Sequence, residues 1–402
     1  MASIAAVHPA TAPAGGWAVF ALGFRPFYLA GAGAALLLPP LWLAVYAGLV
    51  ALPVADPLAW HAHEMLFGFG TAIIAGFLLT AVRNWTGADT PRGAALAGLV
   101  ALWLAGRIAL LVLPGWPGAL IDLAFLPALA VGLARPILAM RVRKATQRPW
   151  LPLVVLGLLT GANLLQHLGS LGLLESGLAL GRMLGFGTVA VLIAVIAGRI
   201  VPSFTMSATG IFVPAAPRRD RIALLVLILA VAFNVATQIA PLPGPLLAAT
   251  NGLAALLHAA RLQQWRSWQA RRIPLLAILH LAYIWLPVSF ALRALAALDA
   301  GVMPALADHA LGVGAMAGLM LAMMTRSALG HTGRPLKAGP VETAVYAAIT
   351  LAALLRLCAA LHAGWQLPLL VAAALAWEAA FALYLLRYLP ILLRPRIDGR
   401  PG

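Results

Sequence analysis

Histidine is the side chain best suited to chemistry in this sequence. Of nine histidines, six lie within or at the ends of long apolar stretches: His61, His63, His167, His258, His280 and His309. Neutral imidazole ligates haem iron, copper and zinc, and it is cheaper to bury than a charge. His61, His63, His167 and His309 fall at roughly one depth and predict one site. His258 and His280, on neighbouring stretches, predict a second metal site nearer the opposite face. Residues two apart on a helix point about 200° apart, so His61 and His63 address two neighbouring centres, or one of them bonds to structure. Glu64 stands three residues after His61 and Asp308 directly precedes His309. Both are candidates for a catalytic, proton-carrying role.

The thiol inventory narrows the chemistry. Cys358 is the single cysteine, which excludes a disulfide within the chain, a covalent Cys-x-x-Cys-His haem, iron–sulfur clusters and a multi-thiolate copper centre. Any haem must be non-covalent and held by histidine. Arg107, Arg182, Arg293 and Arg356 fall inside apolar stretches, where a central charge costs about 2.5–3.5 kcal/mol and demands a partner. They serve either as ion pairs between helices or as cofactor-binding forks for carboxylates such as haem propionates. His309, Gly312, Met316, Met320 and Met323 form one helical stripe, suited to flexible packing or to thioether ligation of Cu(I).

These residues must be positioned by membrane-spanning helices. The 402 residues are 63% hydrophobic and 9% charged, against about a quarter charged in soluble domains. A span needs about 20 apolar residues. Such stretches lie at 27–50, 58–82, 93–113, 117–140, 150–170, 174–201, 221–240, 244–264, 273–298, 303–325, 340–362 and 367–392. The fold class is therefore all-α, a polytopic membrane protein of about twelve helices in a single transmembrane domain. A connector at 202–220, with Pro202, Pro214 and Pro217, divides it into halves of about 25–201 and 221–393. No repeat between the halves is visible. The first 25 residues lack a signal-peptide pattern, so the first span is the expected targeting element.

Basic residues sort by side. Arg25, the segments 83–92, 135–148, 199–221, 261–272 and 326–337, and the tail 387–400 carry them; the alternate loops carry none. Lys and Arg stay cytoplasmic, so both termini are expected there. The net charge of +16 then reflects topology and attraction to anionic lipid, not nucleic-acid binding.

Three blocks carry a family resemblance. One is Trp60-His61-Ala62-His63-Glu64-Met65-Leu66-Phe67-Gly68-Phe69, continuing to Asn84-Trp85-Thr86-Gly87. The second is Gly198-Arg199-Ile200-Val201-Pro202 with Phe204-Thr205. The third runs from Met323-Met324-Thr325-Arg326 to Gly330-His331-Thr332-Gly333-Arg334-Pro335-Leu336. With Phe24-Arg25-Pro26-Phe27, they resemble the NnrS family over most of the chain. The resemblance implies a bacterial inner-membrane protein that binds haem, expected to be of b type, and copper, and acts in the response to nitric oxide. It implies nitric oxide or a related small ligand, an electron donor of unknown identity, and either reduction or binding of the gas, as in a nitric oxide reductase-like oxidoreductase. An adjacent His-His pair, as in haem–copper oxidases, is not present. A secondary transporter with a His/acid proton relay is the main alternative; a sensor or assembly factor is the other.

Overall fold

A backbone in hydrocarbon must satisfy its own polar groups, and an apolar chain does so as helix. The computed structural model describes residues 17–54, 56–139 and 150–400, and these contain helices and no strands. The basic residues Arg141, Arg143, Lys144 and Arg148 of the sequence argument lie outside the described residues. Twelve long helices follow in order: α1 (Phe24–Tyr46), α2 (Pro57–Thr86), α3 (Ala94–Val112), α4 (Trp116–Leu138), α5 (Leu151–Ser170), α6 (Gly177–Thr209), α7 (Pro217–Ala236), α8 (Gly244–Gln264), α9 (Pro274–Ala296), α10 (Pro304–His331), α11 (Pro340–Leu361) and α12 (Gln366–Leu393). Ten of them are long and apolar enough to cross a membrane, which makes this a multi-pass membrane protein. The other two are α7 and α8, of 20 and 21 residues. The first opens on Pro217-Arg218-Arg219-Asp220-Arg221, and the second carries Asn251, His258 and Arg261.

Proline marks many of the starts. Pro57, Pro117, Pro152, Pro217, Pro274, Pro304 and Pro340 all sit in a first turn, where the missing N–H has no intrahelical partner to lose. One proline misled the sequence reading. The connector expected at 202–220 begins later, because α6 runs through Pro202 to Thr209 and leaves only 210–216 non-helical. Hydroxyls support this end of the helix: Thr205 donates to the Val201 carbonyl at 2.8 Å and Thr209 to the Thr205 carbonyl at 2.7 Å.

Neighbouring helices pack as hairpins, notably α3 with α4, α5 with α6, α8 with α9 and α11 with α12. α1 closes against both α2 and α12. Two helices form the interior. In their most apolar stretches, 89% of α2 and 78% of α10 is buried, against 22% for α1 and 28% for α3. A helix apolar all round belongs inside. Both interior helices switch to π geometry for part of their length, at Glu64–Gly70 in α2 and at Ala310–Ala317 in α10.

The ends of the chain meet. Arg25 of the Phe-Arg-Pro-Phe block donates to the carbonyls of Leu392 and Arg394 at 2.8 and 2.7 Å. Arg396 donates to the His331 carbonyl at 2.9 Å. Arg396 also pairs with Asp398 and holds that exposed carboxyl well below the usual carboxylate range. Two of the family-like blocks thus serve as a clasp between α1, α10 and α12.

Close approach of α5 and α6 depends on glycine. A Cβ at Gly181 would stand 2.4 Å from the Ala162 carbonyl oxygen and 2.7 Å from the Gln166 nitrogen, both backbone. Gly181→Ala is expected to lower stability in detergent by about 1–3 kcal/mol, the usual cost of overpacking. Gly157→Ala, with no atom within 4 Å of the new carbon, should leave the thermal midpoint unchanged or slightly higher. Equal midpoints for the two variants would show that the α5–α6 contact is looser than described.

Candidate functional site

A π segment adds a residue to the helical turn and re-aims the side chains around it. In α2 it begins directly after His63, and in α10 directly after His309. The histidines expected at one depth separate here into two neighbouring sites.

The first is a buried ionic cluster. His63 meets Glu64 Oε1 through Nδ1 at 3.1 Å. Its Nε2 meets Asn163 Oδ1 at 2.8 Å and Asp122 Oδ2 at 3.3 Å. Arg107 reaches Glu64 Oε1 at 2.9 Å and also pairs with Asp122. His167 Nε2 and the Asn163 amide each bond to Asp122 Oδ2 at 2.8 Å. The amide bond fixes the orientation of Asn163, so its oxygen faces His63. Both nitrogens of His63 therefore face acceptors. Glu64 and Asp122 share Arg107 inside the apolar slab. One atom each from His63, Asp122 and His167 lies within 4.8 Å of the others, a spacing that can hold a metal ion.

Local structure makes room for this cluster. A Cβ at Gly68 would lie 2.9 Å from Glu64 Oε2 and 3.2 Å from Arg107 Nη1. Only glycine lets the guanidinium pass there to the carboxylate. The Gly68 carbonyl, within the π segment, accepts from Trp103 Nε1 of α3 at 3.1 Å.

The second site is a cavity of about 470 Å³ between α1, α2, α6, α10, α11 and α12. His61, His309, Arg182, Arg356, Met65 and Met316 are among its walls. His309 Nδ1 donates to the Ala305 carbonyl at 2.7 Å, which leaves Nε2 as the lone-pair nitrogen. His61 stacks on Trp42 with ring centroids 4.4 Å apart, and its buried Nδ1 has no hydrogen-bond partner. Arg356 forms no ion pair among the described residues, although it lies in a span. Arg182 and Arg293 both bond to Asp308, Arg182 at 2.8 Å.

Several expectations change with these positions. Arg107 does not line the cavity, because Glu64 and Asp122 engage it. Arg293 is buried against Asp308 and likewise stands outside the lining, so Arg182 and Arg356 are the arginines that face the cavity. Glu64 belongs to the ionic cluster. Asp308 lines the cavity but is held between two guanidiniums.

His258 and His280 are not brought together. His280 meets the Thr205 hydroxyl at 3.1 Å and the Ser267 hydroxyl at 2.8 Å, one at each nitrogen. His258 Nδ1 meets the Tyr283 hydroxyl at 2.6 Å, and Arg261 donates to that hydroxyl at 2.8 Å while also pairing with Asp220. The pairing across the α8–α9 hairpin thus gives way to separate polar partners, with His258 Nε2 buried and without one.

Sequence reasoning missed Asn163, Trp42 and Gln166. Gln166 is 3% exposed, its amide nitrogen has no partner, and it lines both the main cavity and another of about 310 Å³ beside His63 and His167. A buried amide next to His167 in the sequence was the available signal. Glu378, inside α12, was also overlooked; its Oε1 is buried without a hydrogen-bond partner.

A family model described as NnrS protein matches residues 18–396. No curated protein matches the chain.

Loss of one member of a buried ion cluster leaves the others uncompensated, at about 3–5 kcal/mol. Arg107→Met is therefore expected to lower the yield and thermal midpoint of detergent-purified protein sharply. Adding Asp122→Asn to Arg107→Met should recover part of the loss. A single variant as stable as the parent would show that the cluster does not hold α2, α3, α4 and α5 together.

Proposed function

Because the chain belongs to the NnrS family, we propose that it is a bacterial inner-membrane protein of the nitric oxide response, with a non-covalent haem in the main cavity. The observation that carries this is the set of unsatisfied groups facing one space: His61 without a partner at Nδ1, His309 oriented by its backbone bond, and Arg356 without a counter-charge. Each lacks something different, and haem supplies all of it: a metal for imidazole and carboxylates for guanidinium. The volume of about 470 Å³ lies within the range of about 300–1,000 Å³ for cofactor and ligand pockets.

The chain's own residues divide the work. One of His61 and His309 would hold the haem iron, leaving a position for the gas beside the other, and Trp42 holds the His61 ring. Arg356 and Arg182 would receive the haem carboxylates, and Asp308 keeps Arg182 in place. Gln166 Nε2 is a free donor on the cavity wall. When bound, the haem supplies an iron that takes diatomic gases and exchanges single electrons.

Copper, the second metal implied by the family resemblance, suits His63, His167 and Asp122. Imidazole with carboxylate is a donor set for a borderline divalent cation. Such a cation would sit among the carboxylate and imidazole atoms that already lie within 4.8 Å of one another. Both termini are assigned to the cytoplasm by the basic loops. A periplasm-dependent reporter fused after Arg400 should therefore be silent, and an active fusion would reverse the topology.

The first experiment is the optical spectrum of purified protein, oxidised and dithionite-reduced, with metal analysis. A Soret band with sharp reduced α/β bands is expected. His61→Ala and His309→Ala should each change or abolish it, and His258→Ala should not. Arg356→Leu is expected to weaken haem retention by about 1.5–3 kcal/mol, the worth of a hydrogen bond to a charged group. A colourless, metal-free protein after expression with haem and copper supplied would remove this reading in favour of a transporter.

A further inference from the structure

The methionine stripe of α10 has no role in the site so far described. Met316 faces the main cavity, but it also lines a second cavity of about 80 Å³, together with Met320 and Met323. The rest of that lining is apolar: Ile73, Ile74 and Phe77 of α2 and a run of Val, Leu, Ile and Ala on α6, with the Tyr28 ring at one end. Phe77, Ile193, Ile196 and Ile200 on its wall are only half-buried. The smaller cavity thus has half-buried residues on its wall, and Met316 lines both it and the cavity of His61 and His309.

We propose that this cavity is a side passage for a small apolar gas, entering from the hydrocarbon between α2, α6 and α10, with Met316 as its inner gate. The proposal rests on the reading of the main cavity as the gas-binding site. Three observations support it. The space exceeds the roughly 30 Å³ share of a water molecule in the liquid, so a diatomic molecule fits. Its walls offer water almost nothing to bond to, and cavities of that kind stay dry and take up xenon or other apolar guests. The gate is an unbranched side chain with three rotatable bonds, able to swing without moving backbone. Gly70, on the neighbouring π segment, leaves space beside it: a Cβ there would lie 3.6 Å from the Met316 sulfur.

Xenon and carbon monoxide are the probes. In the wild-type protein, xenon should occupy the smaller cavity, detected by ¹²⁹Xe NMR in detergent. Ala197→Leu, which fills the cavity from α6, should abolish that signal. In the haem-loaded protein, the same variant should slow carbon monoxide association after flash photolysis by about tenfold, while the absorption spectrum stays unchanged; Met316→Ala should speed association. A tenfold change corresponds to about 1.4 kcal/mol on the entry barrier. Absent xenon binding, or unchanged association rates in both variants with the haem spectrum intact, would overturn the passage. Should the protein carry no haem at all, the reading of the main cavity fails, and the xenon measurement still decides whether the passage exists.

Discussion

An ionised side chain inside a bilayer has to meet an opposite charge or a ligand, and the interior of this protein is arranged around that demand. Arg107 answers it with two carboxylates, Glu64 and Asp122, brought by α2 and α4. Arg182 and Arg293 share one, Asp308. Arg261, near the other face, takes Asp220 and the Tyr283 hydroxyl. Most of these pairings tie consecutive helices, while Arg182 with Asp308 joins α6 to α10, so the same bonds that neutralise charge also help fix which helices are neighbours. Against this background Arg356 is informative. It carries the same cost as the others and has no ion-pair partner among the described residues, and it faces a cavity that also holds two histidines.

The two interior helices use one local device twice. Each starts at a proline, Pro57 or Pro304, presents a histidine within its first two turns, and then passes through a π segment rich in glycine before returning to α geometry at Thr71 or Gly318. The extra residue in the turn loosens the relation between successive side chains. In α2 the π segment follows directly on His63 and carries Glu64, which faces Arg107, and Gly68, beside which Arg107 passes. In α10 it keeps His309 on the cavity with Gly312 and Met316 below it. Glycine is needed for the same reason at Gly68, where Arg107 crosses α2.

How much of this could be read beforehand differs by scale. The long helices were legible, and for the ten able to cross a membrane the reason is that a length of about 20 apolar residues is dictated by the bilayer and not by tertiary contacts. The end of α6 was not, because the helix continues through Pro202 to Thr209, and a proline inside a helical pattern reads as a boundary. The separation of His61 from His63 followed from the angle between alternate residues on a helix. Their partners did not, since Asn163 and Asp122 reach His63 from α5 and α4, a choice made by packing alone. Depth along a span predicts neither azimuth nor neighbour, and so Arg107 and Arg293 were grouped with Arg182 and Arg356 although they face other ways.

The adjacent sites differ in how completely they are satisfied, and this separates their roles. The cluster around Asp122 is the more balanced: its arginine and carboxylates are paired, although Arg107 Nε is buried without a hydrogen-bond partner, and removing one member leaves a cost for the rest. The cavity around His61 and His309 is unbalanced, with a free imidazole nitrogen, a free amide nitrogen on Gln166 and a guanidinium without a counter-charge. Unsatisfied polar groups in an apolar interior are expensive. They persist in a folded protein when a ligand completes them, and here the groups left open are those that a metal-bearing dicarboxylate would close together. The balanced cluster, one turn away along α2, holds the helix that carries half of that open site.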